Sequence, residues 1–189
     1  IILCDTNGGT LPFELANILN DITSIVPGDK LGVHFHNDTD NATSNSLEAV
    51  RHGVCQVQGT FNGLGERCGN VNLVNVISNL CLKMNYKTNL KKNLKKITSL
   101  SRFIDETLNR PSNRNLPFVG SAAFAHKGGL HISAVQKDPR SYEHIDPASV
   151  GNQRVLVVSN QSGKSNIINQ LKKIKISYGD DDKKLLNFI

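Results

Sequence analysis

The sequence predicts an α/β fold in which a parallel sheet or barrel is covered on the outside by helices. Two observations support this class: short apolar runs alternate with helical periodicity, and these strand and helix units repeat about every 20 to 30 residues. A third is that 38% of the 189 residues are hydrophobic, which suffices to bury a sizeable core. In such folds the functional side chains collect at the carboxyl ends of the strands.

Three strand and helix units occupy the first part of the chain. Apolar runs predict strands at 1–5, 31–36 and 54–60. Apolar residues spaced three and four apart predict helices at 11–25, 39–52 and 73–84. The stripe of the first helix consists of Leu11, Leu15, Ile18, Leu19, Ile22 and Ile25.

The second part of the chain begins with a basic amphipathic segment over 87–108, which we predict to be one helix. Its apolar stripe consists of Leu90, Leu94, Ile97, Leu100 and Ile104, and the opposite side carries Lys91, Lys92, Lys95 and Lys96. We favour a solvated lysine face, and binding to nucleic acid or a membrane surface is the alternative. A linker at 109–117, a helix after the glycines at 128–129, a strand at 153–159 and a helix from Ser162 follow.

Composition narrows the classes of function. The chain has 22 Lys and Arg against 16 Asp and Glu, a net charge of +6, so a polyanionic partner has to be considered. Aromatic residues make up only 5% and Trp is absent, which argues against a stacking surface for single-stranded nucleic acid. No apolar run reaches the length of a membrane span. The four cysteines contain no C-x-x-C pair, which favours a reduced, cytoplasmic protein.

Both ends of the chain are apolar. The sequence opens with Ile-Ile-Leu-Cys and closes with Leu-Leu-Asn-Phe-Ile, and neither resembles a natural terminus. We therefore expect this chain to be a piece cut from inside a longer fold.

A pair of histidines is the strongest local signal for chemistry. His34 and His36 end the second predicted strand, and alternation places both on one face, about 7 Å apart along the strand. Two imidazoles so placed can bind one metal ion, and a hydrogen-bonded pair at a strand end is the alternative. Phe35, between them, is expected to face the helices.

A glycine-rich loop, Gly63–Asn70, follows the third predicted strand. Its glycine spacing does not fit the dinucleotide fingerprint, so we expect a functional loop that needs tight backbone turns. Asn70, placed just inside the following helix, could offer its carbonyl oxygen to an ion held by the histidines, or could cap that helix. Further along, His126 and His131 flank two glycines, and either could act as an acid or base near neutral pH.

Four segments in series resemble one known enzyme group. They are Leu-Cys-Asp-Thr-Asn-Gly-Gly-Thr-Leu-Pro at 3–12, His-Phe-His-Asn-Asp at 34–38, Gln-Gly-Thr-Phe-Asn-Gly-Leu-Gly-Glu-Arg-Cys-Gly-Asn at 58–70, and Ala-Phe-Ala-His-Lys-Gly-Gly-Leu-His at 123–131. Together they resemble the group of metal-dependent (β/α)8 barrel enzymes that contains 2-isopropylmalate, homocitrate and citramalate synthases. Ala-His-Lys-Gly-Gly at 125–129 and Ser-Tyr-Glu-His-Ile-Asp-Pro at 141–147 are most similar to the citramalate synthase branch.

The resemblance implies an acyltransferase that condenses acetyl-CoA with a 2-oxo acid and then hydrolyses the thioester to release CoA. For the citramalate branch it implies pyruvate as the oxo acid, (R)-citramalate as the product, and a place in isoleucine biosynthesis. The implied cofactor is a divalent metal ion, Zn²⁺, Mn²⁺ or Mg²⁺. Two alternatives stay open: a 2-isopropylmalate synthase of leucine biosynthesis, and a basic nucleic-acid-binding module.

Site residues follow from the same resemblance. It implies that His34, His36 and Asn70 are metal ligands and that Thr6 holds the carboxylate of the oxo acid. His131 and Tyr142 match catalytic residues that act near the acetyl group. In the group this histidine reaches into the barrel of the partner subunit, which implies a homodimer with a composite site and neither nucleic acid nor membrane as a partner.

The resemblance also implies a domain order. Residues 1–84 correspond to the last three units, the C-terminal part, of a TIM barrel, 85–150 to a mainly helical linker subdomain, and 151–189 to a second linker subdomain that contains the short strand and ends before a regulatory domain. The group's first barrel strand, which carries an Asp ligand, an Arg and a catalytic Glu, has no counterpart here. We therefore expect the isolated chain to be inactive.

Overall fold

The structure is a computed structural model that describes residues 1–157. The chain divides into two compact units, Ile1–Ser112 and Asn113–Ile189. The helix predicted from Ser162 and the last two residues of the strand predicted at 153–159 lie outside the described residues. The expected three-part domain order stays a prediction.

The first unit is built on a parallel sheet of β1 (Ile2–Asp5), β2 (Gly32–Phe35) and β3 (Gln56–Gln58). The strand order is β1-β2-β3, and both pairs are parallel, so all three carboxyl ends lie at one edge. The three predicted strands are therefore confirmed, each shorter than its apolar run.

Helices α1 (Pro12–Thr23) and α2 (Ala42–Arg51) connect these strands, and α3 (Leu73–Leu82) follows β3, as the periodicity predicts. Pro12 opens α1, where its missing N–H costs nothing, and the backbone N–H of Leu11 donates to Glu14 Oε2 at 2.9 Å. The side chain of Asn72 caps α3 by accepting a hydrogen bond from the backbone N–H of Val74 at 3.0 Å.

The core lies between the sheet and these helices. It is formed by one face of the strands and the inward stripes of the helices, with Leu15, Leu19, Leu31, Val33, Phe35, Ala42, Ala49, Val54, Val71 and Val76 buried. Phe35 faces the helices as expected. The stripe predicted over 11–25 is wrong at Ile18, which is 44% exposed within α1, and at Ile25, which is 83% exposed because α1 ends at Thr23.

The basic segment differs from the single predicted helix. Lys91–Lys96 form a 3-10 helix, and α4 follows at Ile97–Thr107. Short 3-10 segments are frequent at the N-termini of α-helices, and an apolar spacing of three and four residues does not separate the two. All four lysines are exposed and Leu94 and Ile97 are buried, but Leu90 and Leu100 are exposed, so the predicted stripe holds only in its middle.

The second unit contains β4 (Ala125–His126), α5 (Gly129–Lys137) and β5 (Val155–Leu156), with β4 and β5 paired in parallel. The helix after the glycines and the later strand are confirmed within the described residues, whereas β4 is too short to give a sequence signal. All four cysteines of the chain are free thiols. Within residues 1–157 no helix is both long enough and apolar enough to span a bilayer.

Candidate functional site

The two histidines at the end of β2 lie on one face of the sheet, as strand alternation predicts. Their ring centroids are 5.3 Å apart, and the ring planes meet at 69°. In the parallel register Cys4 of β1 and Gln58 of β3 flank His34, so this row of side chains is polar. Both imidazoles are only partly exposed.

Asn70 pairs with His36 through an isolated antiparallel bridge. Its placement just inside the following helix is therefore wrong, because α3 begins at Leu73 and its cap is Asn72. The physical reason lies in long-range pairing: the backbone N–H of Val71 donates to Phe35 O at 2.9 Å, which keeps this segment extended along the end of β2.

Two buried side-chain atoms at this strand end lack a hydrogen-bond partner. The side-chain Nδ2 of Asn70 donates to Leu64 O at 2.9 Å, which orients the amide. The Oδ1 of Asn70 and the Nδ1 of His36 are then both buried and unpaired. Buried polar atoms without a partner cost free energy, and a bound ion at this strand end would remove that cost. An imidazole nitrogen and an amide oxygen both bind divalent cations as ligand atoms, so these residues fit a metal ion.

Whether these residues can hold a metal ion depends on the amide oxygen of Asn70. Among residues 1–157 no group of three or more His, Cys, Asp or Glu side chains could hold a metal ion. The candidate set of His34, His36 and Asn70 contains two such side chains and one amide.

The ends of all three strands are joined by one arginine. Arg67 Nε donates to Asp38 Oδ1 at 2.8 Å, Nη2 donates to Asp38 Oδ2 at 3.0 Å, and Nη2 also donates to the backbone oxygen of Thr6 at 2.8 Å. The guanidinium holds the pKa of the Asp38 carboxyl below its usual range, and the carboxylate raises the pKa of Arg67. Thr6 is thereby fixed at the rim of a depression lined by Cys4, Asp5, Thr6, Asn7, Asp38 and Arg67.

Sequence reasoning did not assign a role to this ion pair. Asp38 and Arg67 are 29 residues apart in sequence. The only sequence feature that could have pointed to the pair is that each lies in a motif already singled out: Asp38 ends the histidine motif, and Arg67 lies inside the glycine-rich loop.

The glycine-rich loop makes the tight turns that its sequence predicts. Gly63, Gly65 and Gly69 all have positive φ, and a Cβ at Gly69 would lie only 1.9 Å from the backbone oxygen of Gly63. Only glycine fits this position. The loop thus brings Asn70 back to the end of β2.

In the second unit, His131 and Tyr142 lie together, as the resemblance implies. Their rings are stacked with centroids 4.4 Å apart and an angle of 29° between the planes. Both side chains are exposed, and Tyr142 keeps 46% of its surface. His131 lies in the first turn of α5.

A buried carboxylate next to this pair was missed by sequence reasoning. Glu143, only 5% exposed, accepts hydrogen bonds from Arg154 Nε at 2.6 Å and Nη2 at 2.5 Å, and from His126 Nε2 at 3.1 Å. The hydrogen bonds from Arg154, and next those from His126, hold the pKa of Glu143 below its usual value, although burial alone would raise it. The ion pair raises the pKa of Arg154.

Comparison with known proteins decides the family. The model described as HMGL-like matches residues 1–104, and the model described as homocitrate synthase post-HMGL domain-like matches residues 118–187. The chain belongs to the HMGL-like family. The resemblance found in the sequence motifs is thereby confirmed.

Curated members of the family match nearly the whole chain. The (R)-citramalate synthase of Aquifex aeolicus is 47% identical over 176 residues, which cover 93% of this chain and 33% of that protein. The (R)-citramalate synthase of Sulfolobus acidocaldarius is 46% identical over 190 residues, which cover 100% of this chain and 36% of that protein. The chain thus spans about a third of the length of these HMGL-like relatives.

A solved HMGL-like structure has the same fold. The HMG-CoA lyase of Bacillus subtilis is 28% identical with a TM-score of 0.53, and the match covers 61% of this chain and 40% of that one. The predicted fold class is therefore confirmed: part of a TIM barrel followed by a mainly helical region with short strands.

Proposed function

We propose that the full-length protein containing this chain is an acyltransferase of the citramalate synthase type. It would condense acetyl-CoA with pyruvate and water to give (R)-citramalate and CoA in cytoplasmic isoleucine biosynthesis. The observation that carries the proposal is the pair of buried atoms without a hydrogen-bond partner, His36 Nδ1 and Asn70 Oδ1, beside His34 at the carboxyl ends of the strands. The 46 to 47% identity to the two citramalate synthases supports the choice of oxo acid.

A divalent ion, Zn²⁺, Mn²⁺ or Mg²⁺, is proposed to bind His34, His36 and Asn70. When bound, such an ion withdraws electron density from the carbonyl of the oxo acid and makes its carbon electrophilic. The hydrogen bond from Asn70 Nδ2 to Leu64 O keeps the amide oxygen turned away from the loop.

Thr6 is proposed to hold the carboxylate of the oxo acid through its hydroxyl. The hydrogen bond from Arg67 to the backbone oxygen of Thr6 fixes the loop that carries this hydroxyl. Because Asp38 already compensates the charge of Arg67, the carboxylate would be bound chiefly by hydrogen bonds rather than by an unpaired arginine.

His131 and Tyr142 are proposed to act on the acetyl group. The methyl group of acetyl-CoA must lose a proton before its carbon can form the new C–C bond, and an imidazole next to the thioester assists that transfer. The Tyr142 hydroxyl would donate a hydrogen bond to the oxygen that gains charge. We also propose that this pair serves the barrel of a partner subunit, which makes the protein a homodimer.

The test uses the full-length protein, acetyl-CoA and a reagent for free thiols. We expect pyruvate-dependent release of CoA that disappears after treatment with a chelator and returns with added metal ion. The His34→Ala variant should lose this activity by at least a hundredfold. His52→Ala is the matched control, because His52 lies at the end of α2, where its Nδ1 contacts Glu48 O at 3.0 Å.

Two results would contradict the proposal. An absence of pyruvate-dependent thiol release above background would exclude the synthase activity. A clear preference for 2-oxoisovalerate over pyruvate would make the protein a 2-isopropylmalate synthase instead.

A further inference from the structure

Glu143 directly follows Tyr142 and is buried where Tyr142 is exposed. The backbone N–H groups of both residues donate to Pro139 O, at 3.2 Å from Tyr142 and 2.9 Å from Glu143. The two side chains therefore leave one short turn in different directions, and whatever fixes Glu143 also fixes the backbone that carries Tyr142.

The partners of Glu143 lie on one strand of the small sheet and directly before the other. His126 is the last residue of β4, and Arg154 directly precedes β5. His131 follows His126 by five residues, at the start of α5. The carboxylate thus joins the segment that carries His131 to the turn that carries Tyr142.

The stacked rings of His131 and Tyr142, 4.4 Å apart, are not held in place by hydrogen bonds of their own. Within residues 1–157 neither the His131 ring nor the Tyr142 hydroxyl makes one. Exposed side chains without such bonds populate several rotamers unless their backbone and neighbours select one. Tyr142 also contacts the buried His126 ring edge-on, with centroids 6.5 Å apart, and His126 is itself held by Glu143, so the relative position of the two rings depends on this buried carboxylate.

We propose that Glu143 is a positioning residue that holds Tyr142 against His131 for the condensation. The inference rests on the proposed function, because that reaction gives the ring pair its role. The two N–H donors of Arg154 face the two carboxylate oxygens, an arrangement that fixes orientation as well as distance. A purely stabilising ion pair would not need to adjoin the reacting side chain.

The test is a double-mutant cycle in the full-length enzyme. Glu143→Gln keeps the volume of the side chain, removes its charge and turns an amide N–H toward Arg154. We expect kcat to fall at least tenfold, with KM for pyruvate changed less than twofold because Thr6 and the histidine pair lie in the other unit. In a Tyr142→Phe background the same change should cost threefold or less, since residues that act as one unit are not additive.

Arg140→Gln is the matched control. Arg140 forms a similar two-point pair with Asp138 in the same turn, but its side chain is 89% exposed. This variant should change kcat less than twofold in both backgrounds.

Two results would overturn the inference: wild-type kcat in Glu143→Gln, or an equal loss in the wild-type and Tyr142→Phe backgrounds. If Glu143→Gln does not fold, Arg154→Lys replaces it, because lysine keeps the charge but loses the two-point geometry, and the same outcomes apply. An inactive wild-type protein would contradict the proposed function, whereas an active wild type with additive variants would contradict only the role of Glu143.

Discussion

Arg67 binds Asp38 through two hydrogen bonds of 2.8 and 3.0 Å and binds the backbone oxygen of Thr6 through a third of 2.8 Å. Asp38 follows β2, Thr6 follows β1, and Arg67 belongs to the loop after β3. One exposed side chain therefore connects the segments that follow three strands far apart in sequence.

Removing this arginine should weaken oxo-acid binding more than folding. In Arg67→Gln the loop that carries Thr6 loses its anchor, so we expect KM for pyruvate to rise about tenfold. The pair is exposed, so the melting temperature should hardly change. Arg51→Gln, which removes an exposed pair with Glu48 on α2, is the control. Unchanged KM in Arg67→Gln would show that Thr6 needs no such anchor.

Two neighbouring asparagines allow metal binding to be separated from helix capping. Asn70→Ala removes the unpaired amide oxygen, and we expect the affinity for Mn²⁺ or Zn²⁺, measured by calorimetry on chelator-treated protein, to fall at least tenfold. Asn72→Ala removes the cap of α3 and should cost about 1 kcal/mol of stability with metal affinity retained. Equal metal affinity in both variants would contradict the assignment of Asn70.

The glycine-rich loop offers a test of steric constraint. Gly53 and Gly69 have nearly the same φ, 88° and 89°, but a Cβ at Gly53 would meet nothing closer than 3.9 Å. Gly53→Ala should therefore cost only the backbone strain, about 1 kcal/mol, whereas Gly69→Ala adds a clash with Gly63 O and should lose at least about 2 kcal/mol more. Thermal unfolding of the two variants measures the difference. Similar losses would mean that the loop can move away.

Acid should weaken the anchor beneath the ring pair. The pKa of Glu143 is lowered in the folded protein, so the folded state binds fewer protons than the unfolded state at mildly acidic pH. The stabilisation is complete above the ordinary glutamate pKa of about 4.3 and is lost as pH falls through the lowered folded value. Melting temperatures between about pH 6 and 3 should therefore fall more steeply for the wild type than for Glu143→Gln. The exposed Glu106→Gln is the control, and parallel curves for the wild type and Glu143→Gln would refute the prediction.

Local periodicity predicted the three strands and the first three helices of the first unit, whereas contacts between residues far apart in sequence could not be predicted from it. Strand alternation was enough to place His34 and His36 on one face. Asn70 was predicted to lie inside the next helix, but its segment pairs with the end of β2. No local sequence pattern encodes that contact. The pair of Glu143 and Arg154 has no periodic signal either, since its members are eleven residues apart in an irregular segment. The lysine run was misjudged because an apolar spacing of three and four residues does not separate a 3-10 segment from the α-helix that follows it.

Strand β2 and His36, which directly follows it, place core side chains on one face and the two histidines on the other. Val33 and Phe35 are almost fully buried against the helices, while His34 and His36 project to the other side. A slip of one residue along the neighbouring strands would bury both imidazoles and expose both apolar side chains. Because β2 is paired on both edges, such a slip would have to break two ladders at once. Side chains on the histidine face can therefore change in evolution without disturbing the core, provided that the strand stays in register.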